Sequence, residues 1–393
     1  MSPIRHVRLG DIAREIVAKS DEQDLPVYSV TKHAGFVPSL EFFTKQVFSR
    51  DTSGYKLVRR NQFAYATIHL DEGSLGLLTS TDAALISPMY TVFEADAERV
   101  HPSYLYRVLK APQMLGIYSR LGKGTVHRRK AISFERLASL SVPLPGLGQQ
   151  KHIADIIERA DRIRRSRKEG LFLAEELLRS AFLDMFGDPM TNPKGWELKR
   201  LAQLGRITTG NTPPRAAPQY FGDDIEWIKS DNINTPSHYL SRATEGLSAE
   251  GRKIGRTAPA GSTLMTCIAG SPDCIGNVAL ADREVAFNQQ INAVTPYEGV
   301  DCRFLYVLLL VGKQLVQAAS TNSMKGMVSK GKLEDVKVPS PPPTIQERFG
   351  NVFDHVLRLS RRHERAYNDA NALFEATVQR AFSASLTGTP APC

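Results

Sequence analysis

The residues that could do chemistry gather first in two loops. RLGKGTVHRRK, from Arg120 to Lys130, holds six basic or potentially basic residues, counting His127, and no acid. STNSMKGMVSKGK, from Ser320 to Lys332, mixes lysines with glycines and hydroxyl residues. Glycine lets backbone amides approach phosphate, lysine and arginine neutralise it, and hydroxyls add donors, so both loops suit a nucleic-acid backbone. The candidate contacts are Lys123, Thr125, His127, Arg128 and Arg129 in the first loop and Lys325 and Lys330 in the second. A basic loop standing alone is usually just solvated; two at matching places bring the phosphate reading level with that simpler one. Reading bases takes side chains with paired donors and acceptors, chiefly arginine on guanine and asparagine or glutamine on adenine. Candidates of that kind are Lys32, His33, Lys56, Arg59 and His69 in the first half and Asn211, Lys229, Asp231, Asn232 and Asn234 in the second. Most residues picked this way are ordinary structural or solvent-facing ones. Asn288, Gln289 and Gln290 lie in a strand-like run where turn duty is at least as good a reading.

Catalytic motifs are missing from the sequence. There is no GxxxxGK[ST] phosphate loop, no HExxH and no GxSxG elbow. Ser340 to Pro343 only superficially resembles the Asn-Pro-Pro-aromatic tetrapeptide of amine methyltransferases. Pro272-Asp273 with Asp335 and Lys337 makes a scattered nuclease-like set, whereas metal-assisted cleavage needs carboxylates that converge. The four cysteines, Cys267, Cys274, Cys302 and Cys393, show neither a CxxC pair nor a histidine at ligand spacing, so they read as free buried thiols and no metal site is expected. A net charge of +9 and a pI near 9.3 favour a polyanionic partner, though only modestly. MSPIRHVRLGDIAREI lacks the apolar core of a signal peptide, and the longest apolar run, Phe304 to Val311, is too short to span a bilayer. A cytoplasmic protein without membrane contact is expected.

What must position these loops is a pair of long helices. From Gln149 to Phe186 apolar residues recur at three-and-four spacing with no proline, predicting one helix of roughly 55 Å that stops at Gly187 and Pro189. The pattern occurs twice. Val142-Pro143, Gln150, Ile153, Ile156 and Ile157 match Val338-Pro339, Gln346, Phe349, Val352 and Phe353, each pair 196 positions apart. Arg164, Arg165 and Arg167 match Arg361, Arg362 and Arg365, and Phe182 matches Phe382 at an offset of 200, so the second helix carries about one extra turn. A period near half the chain means duplication of a large unit. Thr344 and Glu347 form a plausible capping box for the second helix, Ile345 to Ala384. Between the helices, and before the first, short runs rich in Val, Tyr, Phe and Thr predict mixed domains, with a helix at Pro102 to Leu115 capped by Ser103. The expected fold class is α+β: two duplicated mixed α/β domains separated by two long helices packed as an antiparallel coiled coil. The expected boundaries are 1–145 and 189–340 for the domains, 146–188 and 341–388 for the helices, and 389–393 for a loose tail.

In the order YSVTKHAGF, YKLVRRNQFAYA, ISPMYTVF, then GWELKRLAQLGRITTGNTP, WIKSDNI and NQQINAV, with two Val-Pro to Gln approaches into long helices, the chain resembles the specificity subunits of type I restriction-modification systems over nearly its whole length. That resemblance implies two target-recognition domains, each reading one half of a split, asymmetric DNA site, held apart by two helices packed antiparallel; if the domains sit on neighbouring stretches of one groove, helix length is expected to set the gap between half-sites. It implies as partners double-stranded DNA, two methyltransferase subunits that use S-adenosylmethionine, and restriction subunits that use ATP and Mg2+. No cofactor and no catalytic residue would then lie on this chain. The competing readings are an autonomous nuclease or methyltransferase with its own site, and a coiled-coil scaffold that binds only protein. Gly170, which weakens the first helix, would be a place where length changes are tolerated.

Overall fold

Strand alternation and helix periodicity build the same layered arrangement twice. The protein is described by a computed structural model covering residues 5–19, 25–43, 45–49, 51–121, 131–320 and 326–383. It divides into two units, Met1–Arg167 with Ala366–Cys393, and Lys168–Arg365. The first half runs His6–Arg8 (β1), Ala13–Ile16 (β2), Val27–Thr31 (β3), Gly35–Pro38 (β4), Ser39–Phe42 (α1), Lys56–Arg59 (β5), Phe63–Ala66 (β6), Leu75–Leu77 (β7), Ala83–Ile86 (β8) and Tyr90–Ala95 (β9). Pro102–Leu109 (α2), Pro112–Leu121 (α3), Phe134–Ala138 (α4), Ser141–Pro143 (β10) and Leu147–Phe186 (α5) follow. The second half runs Leu198–Arg200 (β11), Leu201–Leu204 (α6), Gly205–Thr209 (β12), Phe221–Ile228 (β13), Gly246–Leu247 (β14), Ala249–Ile254 (α7), Thr257–Ala258 (β15), Thr263–Thr266 (β16), Ile268–Ala269 (β17), Val278–Leu280 (β18), Val285–Phe287 (β19) and Ile291–Pro296 (β20). It closes with Cys302–Val311 (α8), Lys313–Ala318 (α9), Gly326–Met327 (β21), Lys330–Glu334 (α10), Lys337–Pro339 (β22) and Pro343–Ser383 (α11).

The sheets of the two units correspond strand for strand. In unit 1 the orders are β2-β9-β6-β7 and β4-β3-β8-β5; in unit 2 they are β12-β20-β16-β18 and β14-β13-β19-β15. Each set has one parallel pair, β3 with β8 and β13 with β19, at the same place. Each domain is closed by pairing its first and last strands, β1 with β10 and β11 with β22, just before a long helix begins. Because side chains alternate across a strand, Phe63, Tyr65 and Phe93 face the helices while Ala64 and Val92 face the second sheet. In unit 2 Met265 and Val294 face the helices, and Leu264 and Ala293 face the second sheet.

The long helices finish both cores. In unit 1 the start of α5 (Ile153, Ala154, Ile157) meets the end of α11 (Phe374, Val378, Phe382). In unit 2 the end of α5 (Ala174, Leu178, Phe182, Phe186) meets the start of α11 (Phe349, Phe353, Val356). The helices therefore pack antiparallel within each unit. Phe182 and Phe382 are both fully buried, and the span from the starting glutamine to the phenylalanine is four residues longer in α11, which is the extra turn. Gly187, at φ +80°, ends α5 as expected. The basic middle of α5 is partly neutralised in place. Arg107, Arg164 and Arg165 all hydrogen-bond the buried Asp161 carboxylate. Burial alone would raise that carboxyl, but the hydrogen bonds from Arg164 and Arg165 and the charge of Arg107 hold it below the usual carboxylate range.

Four expectations need correcting. The predicted helix 102–115 is two helices, because Pro112 lacks the N–H that would continue α2, and His101 rather than Ser103 stands at its N-cap. α11 starts at Pro343, so Thr344 lies inside its first turn and does not cap it. Of the described thiols only Cys267 is buried; Cys274 and Cys302 are half-buried. Gly170 is not slack: a Cβ there would lie 2.7 Å from His363 Nδ1, so the glycine is what lets α5 and α11 approach within unit 2. The loose tail, 389–393, lies outside the described residues.

One residue type ties each helix to its domain. Gln150 is fully buried; its Oε1 accepts from His101 N at 2.9 Å, and its Nε2 donates to Arg99 O and Pro145 O. Gln346 repeats this with Asp301 N at 3.1 Å and Pro341 O at 2.8 Å. Replacing either by leucine keeps the volume but leaves buried peptide groups unpaired. Gln150→Leu or Gln346→Leu is expected to lower stability by about 2–3 kcal/mol in urea unfolding. A loss under about 0.5 kcal/mol would put them with ordinary surface changes.

Candidate nucleic-acid interface

The ends of equivalent strands bring the same segments together in both units. In unit 2, Cys267 N and Ile268 N donate to Gln290 O, Gly210 N donates to Ile291 O, and β17 pairs with β21. The segments 209–213, 267–270, 287–290 and 326–328 thus share one end of the sheets. Gly210 makes this possible, since a Cβ there would lie 2.1 Å from Asn288 O. In unit 1, Ile132 N donates to Thr67 O, as Val328 N does to Cys267 O. Thr67, His69, Ser87, Met89 and Tyr55 line one small pocket. The described flanks of both basic loops are therefore anchored beside corresponding strands, β6 and β16. Lys123, Thr125, His127, Arg128, Arg129 and Lys325 themselves lie outside the described residues. Lys330 starts α10 and pairs with Glu334 at 3.5 Å.

The remaining candidates separate into those engaged by the fold and those presented to solvent. Lys56 Nζ donates to Tyr90 O at 2.7 Å, fastening β5 to β9. His69, at the pocket, contacts Glu72 at 3.2 Å. Lys32 and His33 are exposed at the β3–β4 turn. Lys110, which sequence reasoning missed, holds that turn by donating to Lys32 O and Gly73 O, each at 2.7 Å. Burial pushes its amine down to about 8. Arg59 is exposed at the opposite end of β5 from Lys56.

In unit 2 the asparagines mostly build turns. Asn232 is buried; its Oδ1 accepts from Lys229 N, and its Nδ2 donates to Ser241 Oγ and Arg242 O. Asn211 accepts from Arg256 N and donates to Ile254 O. Asn234 Oδ1 accepts from Asn277. Lys229 is paired with Glu245, whose carboxyl is held low by hydrogen bonds from Lys229 and Arg215. Asp231 is exposed. Gln289 is exposed and bonds Thr212 across the strand ends, so the 288–290 run is a turn with a side chain turned outward. Sequence reasoning also missed Arg215, whose guanidinium lies over the rings of Phe221 and Trp227. Its signal was an arginine within a proline-rich loop followed by two aromatics.

The family model described as type I restriction modification DNA specificity domain matches residues 193–369. The type I restriction enzyme HindI specificity subunit of Haemophilus influenzae is 22% identical over an alignment of 451 positions, taking in 93% of this chain and 96% of that one. Residues 193–369 thus carry the type I restriction modification DNA specificity domain, and the likeness to a specificity subunit runs through both halves of the chain. The crystal structure of such an S subunit from M. genitalium superposes with a TM-score of 0.62 at 11% identity, covering 99% of this chain and 98% of that one. A chain from a structure addressing complex assembly and conformational transition of the type I system gives 0.58 at 19% identity, over 97% and 98%. At those identities the structural likeness is one of fold.

Specificity subunits are the non-catalytic components of their enzymes, and the residues once weighed for catalysis have other duties here. Asp335 pairs with Arg200, and Asp273 offers its backbone carbonyl to Lys313. Among the described residues no three His, Cys, Asp or Glu side chains gather as a metal site, and no helix is long and apolar enough to cross a membrane. The sorting of candidates has a direct check. Asn232→Ala should lower stability by about 1–3 kcal/mol in thermal unfolding because three hydrogen bonds of a buried side chain vanish. Asp231→Ala beside it should change stability by no more than about 0.5 kcal/mol. Equal effects would mean that Asn232 does not hold the turn.

Proposed function

We propose that each unit of this specificity subunit reads one half of a split, asymmetric duplex DNA site. The observation that carries this is the duplication itself: identical sheet order in both units, with different side chains on corresponding turns. Ser87, Pro88 and Met89 join β8 to β9 where Asn288, Gln289 and Gln290 join β19 to β20. One scaffold with two differently dressed tips suits two unlike half-sites. The basic loops, including Lys123, Arg128, Arg129 and Lys325, would contact phosphates, making binding fall steeply with salt.

In this reading the chain acts in the cytoplasm beside two methyltransferase subunits, which carry S-adenosylmethionine, and restriction subunits, which carry ATP and Mg2+. The long helices offer a face for such partners. On the outer side of α5 in unit 2, Phe172, Leu173 and Leu177 are exposed at 63%, 57% and 48%, more apolar surface than a solvated helix needs. Changing Phe172 and Leu177 together to aspartate should abolish co-purification of a methyltransferase subunit while leaving the thermal unfolding of this chain within a few degrees. Undiminished co-purification would place that partner elsewhere.

The recognition reading is tested by domain exchange. Replacing residues 1–145 with the corresponding region of a relative should change one half of the methylated motif in the assembled enzyme and leave the other half intact. If both halves change together, the assignment of one unit to one half-site is wrong.

A further inference from the structure

In the loop whose Thr212 bonds Gln289, unit 2 holds one guanidinium in an unusually prepared state. Arg215 lies in the loop between β12 and β13, with its Cζ 4.8 Å from the Phe221 ring centre and 4.9 Å from that of Trp227. Nη1 donates to Glu245 Oε2 at 2.9 Å. The side chain is still 56% exposed, and its Nε and Nη2 make no hydrogen bond among the described residues. In a guanidinium, Nε–H and Nη2–H point the same way along one edge, a fork that meets two adjacent acceptors at once. The tether at Nη1 therefore leaves the paired edge available.

Among the other described cations of these segments, Lys229 and Lys313 are lysines, and Arg256 has no aromatic ring beneath its guanidinium. Lys229 Nζ is bonded to Glu245, Arg256 Nη1 to Thr209 O, and Lys313 Nζ to Asp273 O and Asn277 Oδ1. Arg215 differs in being fixed by a platform and one acceptor while its edge stays open. An arginine held in this way loses less side-chain freedom on binding than one free in solvent.

Among the described residues the platform belongs to one unit only. Val27 pairs with Leu85 in the parallel step of unit 1 where Trp227 pairs with Ala286 in unit 2, so a valine occupies the tryptophan's register position. A feature needed by the shared scaffold would recur in both units, whereas one that distinguishes their targets would not. The loop that carries Arg215 also places Thr212 against the exposed Gln289.

We propose that Arg215 reads a guanine in the half-site of unit 2, with Nε–H and Nη2–H donating to N7 and O6 in the major groove. Phe221, Trp227 and Glu245 are then positioning residues that fix the plane and direction of the fork. Lysine cannot substitute, because its ammonium is a point charge without two donors in a fixed plane. The inference rests on the DNA reading above, and the test separates the two.

The test is selection of bound duplexes from a randomised pool by the full chain, comparing wild type, Arg215→Ala and Arg215→Lys, with affinity then measured against salt on the wild-type duplex. Wild type is expected to enrich two half-sites. Both variants should lose the preference for one guanine in one half-site and keep the other half-site intact. For wild type, replacing that guanine should weaken binding about ten- to a hundredfold; for the variants the change should be near onefold. An unchanged motif in Arg215→Ala overturns the proposal. So does a guanine preference kept by Arg215→Lys while Arg215→Ala weakens all duplexes evenly and lowers the salt slope by about one, which is the mark of a phosphate contact. A wild-type pool with no enriched sequence would defeat the DNA reading itself.

Discussion

Neither unit can close its hydrophobic core with its own domain. Phe182 and Phe186 pack with Phe304 and Phe349 in unit 2, their ring centres 4.8–6.1 Å apart, while Phe382 comes within 6.1 Å of Tyr104 in unit 1. Truncating a buried phenylalanine of this kind typically costs about 3–5 kcal/mol, a large part of what holds a domain together. Helix continuity and domain stability are therefore one constraint. The buried glutamines serve the same constraint from the other side, fixing where each helix leaves its domain.

Upon that frame the two halves keep their backbone plan and vary their tips. Strand order, the single parallel pair and the closing two-stranded ribbon are common to both. Side chains that maintain the plan are buried or bonded to backbone, as with Asn232 and Lys110. Those with exposed polar edges, such as Gln289, stand at the strand ends. A scaffold whose stability does not depend on its tip residues can change what it reads without unfolding.

The helices, their antiparallel packing and the duplication were legible because they rest on periodicity, which a sequence displays directly. The glutamines at the helix starts were visible as a matched pair, but their role as clamps was not, since it depends on peptide groups from His101 and Asp301 brought in by the fold. Base-reading candidates were harder to sort. Asparagine serves turns and bases with the same amide, so Asn211, Asn232 and Asn234 could not be assigned before their partners were known. Gly170 misled in the opposite direction: its low helix propensity suggested slack, while its missing side chain makes room for His363. Arg215 escaped notice because its significance lies in Phe221 and Trp227, which only the β13 strand brings beneath it.

The division of α11 between units has a consequence for synthesis. Unit 2 is a single stretch, 168–365, and has everything it needs once that stretch is made. Unit 1 begins ahead of unit 2 in the chain, yet its core waits for Phe374, Val378 and Phe382, which follow unit 2. The usual order, in which the N-terminal domain folds first during translation, is reversed. For most of its synthesis the chain carries an unfinished N-terminal domain with apolar surface uncovered. A ribosome that stops within α11 releases a protein whose second unit can be whole and whose first cannot.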